Sequence, residues 1–257
     1  LTDGADMPEE RRVPYAVFGV DLDVLMDYEE SMPPRTEAAP PSVPRFVERV
    51  VCHVAAHGTG EKGVFRCAGE KRAMDALVEM VDSGRFDSLS LPDAGLHNLC
   101  GVLKQYLREL PQPVIPFAQY EAFLHVALLA DRPAQQRAEL AALVAALPRR
   151  NLCLLERLLG LLRGVACNKH VNAMDETNLA IVTAPNILRP ARAKAASSSM
   201  IESTQANGAV AALITHYAEL FERGALAETL RQLNHREHEW VLYRTKLLGH
   251  TKSIRAV

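Results

Sequence analysis

An all-α fold, a helical bundle of about nine helices, is what this sequence predicts. Aromatic residues make up only 5% of the 257-residue chain. Runs that alternate polar and apolar residues are rare, and alanine and leucine abound. Residues of high helix propensity, with apolar positions spaced three and four apart, build helices rather than sheets. Hydrophobic residues make up 48% of the chain, enough for a substantial core. The length fits one large domain with extensions.

The elements follow in chain order. Residues 1–17 are charged and turn-rich and read as an N-terminal extension. The FGVDLDVLM stretch, Phe18–Met26, reads as a docked irregular segment or a short turn. Tyr28–Ser42 carries two Pro-Pro pairs and few apolar residues, the mark of an exposed connection. In VPRFVERVVCHVAAHG, Phe46, Val47, Val50, Val51 and Val54 lie at helical spacing, with Gly58 as a stop. Met74, Leu77, Val78 and Val81 define a second amphipathic helix that closes at Gly84. After a loop over residues 85–91, Asp93 is a plausible cap for a third helix. There Leu96, Leu99, Leu103, Leu107 and Leu110 recur, until the LPQP stretch stops the helix. Further helices are expected near 116–130, 134–147, 151–166, 174–183, 205–222 and 225–248. The small, polar stretch Arg189–Ser203 reads as a mobile surface loop. The bundle spans about residues 18–222, and 223–257 form a C-terminal helix or extension that carries the single tryptophan, Trp240.

Several function classes lose their footing. The formal net charge of −2 gives no nucleic-acid signal. No apolar run reaches the roughly 18–20 residues that cross a bilayer, and no N-terminal stretch resembles a signal peptide. The chain begins at Leu1, which reads as a piece of a longer protein. The five cysteines are unclustered, which suggests reduced, mostly buried thiols in a cytosolic setting. There is no GxxxxGK[ST] loop and no GxSxG elbow. His235 and His238 lie three apart on an expected helix, but no further metal ligands accompany them.

Three groups of residues stand out. In GEKGVFRCAGEKR, Arg66 follows an apolar pair and precedes the small residues Cys67-Ala68-Gly69. It is either a surface charge or a group offered to another molecule. Lys104 and Arg108 project from one side of their helix, beside the leucine stripe and in line with His97 and Gly101. They read either as a solvated face or as a basic pair for an anion or carboxylate. In NAMDETNLAIVTAPNILRP, Asn172 and Asp175 form a capping arrangement, with Asn172 as the N-cap. Asn178 sits on a different side from the core-facing Leu179 and Val182. Pro185 is expected to break the helix and leave Asn186 in the following turn. These asparagines read either as caps and turn formers or as hydrogen-bonding groups for a partner.

Taken together, the motifs resemble the RhoGAP domain family, the GTPase-activating proteins for Rho-type small GTPases. GVFRCAG is similar to the family's finger loop, LKQYLRELPQPVIP to its most distinctive block, and NAMDETNLAIVTAPNIL to its asparagine-rich block. FGVDLDVLM, VPRFVERVVCHVAAHG and NLCLLERLLGLL resemble its opening segment, first main helix and later helix. The resemblance covers about Phe18 to Glu222, and its strength lies in the order and spacing of the motifs.

The resemblance implies a protein that stimulates GTP hydrolysis by a Rho-family GTPase in its GTP-bound form. Arg66 aligns with the catalytic arginine finger. Lys104 and Arg108 align with the basic pair that supports the finger loop and the GTPase interface. Asn178 aligns with the asparagine that contacts the GTPase near its switch regions. Asn186 belongs to the "PN" turn, with a more structural role. No cofactor or metal of its own is implied, since GTP and Mg²⁺ are held by the partner. The expected location is the cytoplasm or the membrane periphery, where lipidated GTPases sit. The alternative is a non-catalytic module of the same fold that binds GTPases or other signalling proteins. This chain departs from the family pattern at Lys62, where an acidic residue is frequent, and at Ala68, where serine is usual. Gln112 replaces a frequent glutamate, and Thr183-Ala184 a common aromatic-glycine pair.

Overall fold

The computed structural model describes residues 16–31, 42–191 and 196–223. Among them nine helices are seven residues or longer, and there are no strands, so the all-α expectation stands. The long helices are α1 (Leu22–Ser31), α2 (Arg45–His57), α3 (Lys71–Asp82), α5 (Leu96–Glu109), α6 (Tyr120–Ala127), α7 (Pro133–Ala145), α8 (Arg149–Cys167), α10 (Glu176–Ile187) and α11 (Ala196–Thr215). Single turns α4 (Leu91–Ala94) and α9 (Lys169–Asn172), 3-10 turns at Phe86–Ser88 and Phe117–Gln119 and a π-helical turn at Ala218–Glu222 complete the helical elements of the described residues. No helix among the described residues is long and apolar enough to cross a membrane.

The bundle is organised around α8, which is buried along nearly its whole length, as an apolar helix enclosed by others must be. Helices α2, α10 and α11 pack on it, and α5 packs against α2, α3 and α10. Two charged groups of α8 lie inside. Arg157, 1% exposed, donates from Nη1 to Glu48 Oε1 at 3.0 Å. Glu156 accepts from the Tyr217 hydroxyl at 2.8 Å. Such pairs add little net stability, but breaking one leaves a buried charge uncompensated.

The periodic segments fold as expected. Phe46, Val47, Val50, Val51 and Val54 are buried on α2, and Leu99, Leu103 and Leu107 on α5. Leu110, just past α5, is buried too.

Four expectations need correction. The irregular segment at Phe18–Met26 is a turn followed by α1. Asp21 Oδ1 accepts from the Asp23 N–H at 2.9 Å, and Leu22, Leu25 and Met26 bury one helical face. Asp93 does not cap α5. It lies in α4, and the chain then reverses at Gly95, whose φ of +78° favours glycine. Pro185 does not end α10. It sits in the last turn, where only the bond to the Ile181 carbonyl is lost, and Ile181 is 51% exposed. Finally, the Arg189–Ser203 loop is already helical from Ala196. Ala206, Ala209, Val210 and Leu213 anchor α11, and the anchored helix propagates back through the small residues.

The five cysteines are reduced thiols, but fewer are buried than expected. Cys100 and Cys153 are buried, Cys52 and Cys167 partly so, and Cys67 is exposed. His235, His238, Trp240 and the helix expected near 225–248 lie outside the described residues, as do residues 1–15.

Candidate functional site

The site is built on the connection between α2 and α3, residues 58–70, and on the two places that hold it. The sequence forces a tight path here. Gly63 takes φ +69°, and an added Cβ would stand 2.6 Å from Cys67 Sγ. The Gly63 carbonyl accepts from both Arg66 N–H and Cys67 N–H at 2.8 Å, which closes the turn. Phe65 also lies in the left-handed region, at φ +66°, which costs a non-glycine residue about 1–2 kcal/mol. Two features offset that cost. The Phe65 side chain is fully buried, worth up to ~3 kcal/mol. Its carbonyl accepts a hydrogen bond from Lys104 Nζ, reaching over from α5.

Arg66 follows on this anchor and is exposed. Its guanidinium folds back over Gly63: the position of an added Cβ there lies 3.8 Å from both Nε and Nη2. It makes no hydrogen bond or ion pair among the described residues.

Lys104 is half-buried beneath the loop. Burial pushes its ammonium below the usual lysine range; the Cys100 charge would oppose that, and Arg108 one turn on adds to it. Cys100, under the same loop, is pushed up to about 12 by burial and so remains a thiol at neutral pH. Arg108, in the last turn of α5, is exposed. The structure thus ties Lys104 to Phe65, the residue before Arg66, with Arg108 a turn beyond Lys104.

The second support comes from α9. The Asn172 carbonyl accepts from Gly63 N–H at 2.8 Å. Its side chain is completely buried. Asn172 Nδ2 donates to the Thr59 carbonyl and to the Val165 carbonyl, both at 2.7 Å, and Oδ1 accepts from Met174 N–H at 2.7 Å. Asn172 is therefore a clasp between α8, α9 and the loop, and not the N-cap of α10. That cap is Asp175, whose Oδ1 accepts from Asn178 N–H at 2.7 Å.

Asn178 is partly exposed, in the first turn of α10, and its Nδ2 donates to the Ala173 carbonyl at 3.4 Å. It stands beside the clasp, at the start of α10. Asn186 is different. It is inside α10 rather than in a turn, 5% exposed, and its Nδ2 donates to the Val182 carbonyl at 3.0 Å.

Sequence reasoning missed two contacts from the first turn of α5. Asn98 Oδ1 accepts from Glu70 N–H at 2.7 Å, and His97 Nε2 lies 3.7 Å from Glu61 Oε1. An adjacent His-Asn pair on a helix start carries no recognisable pattern of its own. No group of three or more metal-ligating side chains is gathered among the described residues.

Chemically, the arrangement offers an exposed guanidinium on a rigid base. Arginine stays protonated and presents a planar fork of donors suited to phosphoryl oxygens.

Comparison with known proteins bears on the same elements. The family model described as the RhoGAP domain matches residues 44–192. Rho GTPase-activating protein 22 of Mus musculus is 38% identical over 178 residues, covering 68% of this chain and 24% of that protein. Rho GTPase-activating protein 25 of Homo sapiens is 35% identical over 177 residues, covering 68% and 26%. The chain thus spans about a quarter of the length of these relatives. Among solved structures, human Rho GTPase activating protein 15 superposes with a TM-score of 0.69 at 25% identity, covering 80% of this chain and 92% of that one. The BH domain of the GTPase regulator associated with focal adhesion kinase gives 0.62 at 25% identity, covering 69% and 93%. The matched stretch runs from the start of α2 past α10 and takes in the whole 58–70 loop together with Lys104, Asn172 and Asn178; this chain belongs to the RhoGAP domain family.

Proposed function

We propose that this chain stimulates GTP hydrolysis by a Rho-family small GTPase in its GTP-bound form, with Arg66 as the group inserted into the partner's active site. The observation that carries the reading is an exposed guanidinium without a hydrogen-bond or ion-pair partner among the described residues, on a left-handed loop whose Phe65 carbonyl is held by Lys104. Hydrolysis spreads negative charge over the γ-phosphoryl and leaving oxygens, and a cation delivered in trans stabilises that charge. GTP, Mg²⁺ and the attacking water belong to the GTPase, so this chain brings no cofactor. Lys104 holds the loop, while Arg108 and Asn178 face the GTPase. Nothing in this role requires a membrane span. The protein works in the cytoplasm or is drawn to the membrane periphery with its lipidated partner.

The test is single-turnover GTP hydrolysis by a panel of Rho-type GTPases, with wild type and Arg66→Ala. The substitution is expected to lower the maximal stimulated rate by about 10³–10⁵, or roughly 4–7 kcal/mol of barrier. Binding should change little, since the arginine acts chiefly in the transition state. Stability should be unaffected, because the side chain is exposed and unbonded. A wild type that binds a GTPase without accelerating hydrolysis, or an Arg66→Ala that stays fully active, overturns the catalytic reading in favour of a binding module.

A further inference from the structure

The first turn of α5 faces both feet of the 58–70 loop. At the first foot His97 Nε2 stands 3.7 Å from Glu61 Oε1. At the second, Asn98 Oδ1 accepts from Glu70 N–H at 2.7 Å, while Asn98 Nδ2 donates to the Ala94 carbonyl at 2.8 Å. The amide is thus fixed on both sides, and turning it over would lose both bonds. Packing around it is tight. A Cβ added to Gly69 would stand 2.6 Å from Asn98 Oδ1 and 2.9 Å from Asn98 Cα.

Apart from the Glu70 carbonyl, which accepts from Met74 N–H of α3 at 2.9 Å, residues 68–70 have little else to hold them. Ala68 has no polar side chain, and Cys67 bonds only within the loop, to the Lys62 carbonyl. Glu70 precedes α3 and makes no side-chain cap bond there. Among the described residues, the bond that Glu70 N–H donates to Asn98 is the one hydrogen bond that ties residues 68–70 to an element other than α3. Lys104 grips the loop at its apex, and Asn172 grips the side that leaves α2. Without Asn98, the side that enters α3 could swing about those two grips and carry Arg66 with it.

We propose that Asn98 is a positioning residue for Arg66, fixing the α3-side foot of the loop through the Glu70 amide. The inference rests on the reading of Arg66 given above. A misplacement of about 1 Å in a positioned group can cost up to about 10² in rate. The loss of one hydrogen bond of ordinary strength corresponds to about 3- to 10-fold.

Two variants of the full chain test it, Asn98→Ala and Asn98→Asp. Aspartate keeps the acceptor for Glu70 N–H, in the first turn of α5 where the helix dipole favours its charge, but loses the donation to the Ala94 carbonyl. Amide hydrogen exchange is measured on the free proteins, and single-turnover GTP hydrolysis is measured against activator concentration. In Asn98→Ala the Glu70 amide should exchange about 3- to 10-fold faster, with the amides of α8 unchanged. Maximal stimulated hydrolysis should fall by a similar factor at an unchanged half-saturating concentration. Asn98→Asp, which keeps the acceptor for Glu70 N–H, should retain more of both properties than Asn98→Ala.

Unchanged exchange at Glu70, or equal acceleration throughout α8, overturns the inference without reference to any GTPase. A wild type that stimulates none of the GTPases defeats the reading of Arg66 instead. An active wild type matched by an equally active Asn98→Ala defeats the positioning role alone.

Discussion

Asn172→Ala is the most demanding test of how the loop is held. Three side-chain hydrogen bonds vanish at once: those to the Thr59 and Val165 carbonyls and that from Met174 N–H, each 2.7 Å long. At about 1 kcal/mol apiece the bonds alone are worth about 3 kcal/mol. The site is completely buried, so water cannot readily take over the orphaned groups. Their desolvation adds to the loss, for a total of about 3–5 kcal/mol. For a domain of this size that corresponds to a fall of about 6–20 °C in Tm. Guanidinium and thermal unfolding of wild type and variant give the number directly. Asn172→Asp sharpens the test. It keeps the acceptor for Met174 N–H but turns a donor into an anion facing two carbonyl oxygens. It should therefore destabilise at least as much as alanine at neutral pH, and less at acid pH, where the protonated carboxyl donates again. A cost below about 1 kcal/mol for Asn172→Ala, or a neutral Asn172→Asp at pH 7, would show that this residue is not the clasp described.

Two further predictions separate rate from stability. Lys104→Met leaves the Phe65 carbonyl without its charged donor. The maximal stimulated rate should drop by about 10- to 100-fold. Tm should shift by only a few degrees, because the variant also removes the burial penalty that pushes this lysine's pKa down. Single-turnover hydrolysis beside a thermal melt measures both, and a rate that follows the loss of fold contradicts the prediction. Glu29 makes the domain pH-sensitive. Burial raises its carboxyl from 4.5 to about 7, against the opposing Arg45 backbone hydrogen bond and charge. The folded state therefore holds this proton in a window where the unfolded chain has released it, so stability falls as pH rises from 4.5 to about 7. The loss is on the order of 2–3 kcal/mol. Glu29→Gln should flatten that slope in pH-dependent denaturation, and an unchanged slope would exclude Glu29 as its source.

Helices α2, α3 and α5 were legible because each buries one apolar stripe, and a stripe leaves a period in the sequence. The N-terminal half of α11 was not. Its small and polar residues have no stripe, and the anchor that keeps them helical lies further along, at Ala206 to Leu213. Pro185 misled for a related reason, since the cost of proline depends on which carbonyl is orphaned and whether it reaches solvent. At the candidate site, Arg66 and Lys104 were singled out through their motifs, and Lys104 proves to hold the Phe65 carbonyl beside Arg66. Asn172 was singled out but given a local role, because capping is the usual employment of an asparagine near a helix start. Its most distant side-chain partner, Thr59, is 113 residues away. Asn98 left no trace at all. Its bond spans 28 residues, and neither composition nor period encodes which distant amide a side chain will meet.

The resting place of Arg66 over Gly63 has a consequence in time. An exposed side chain without a bond changes rotamer in picoseconds to nanoseconds. Its backbone is pinned at Gly63, Phe65 and Glu70, and backbone loops move more slowly, in nanoseconds to microseconds. The chain thus runs two clocks within a few residues, a fast guanidinium on a slow base. On the proposed reading, swinging the arginine outward is never the step that a GTPase waits for.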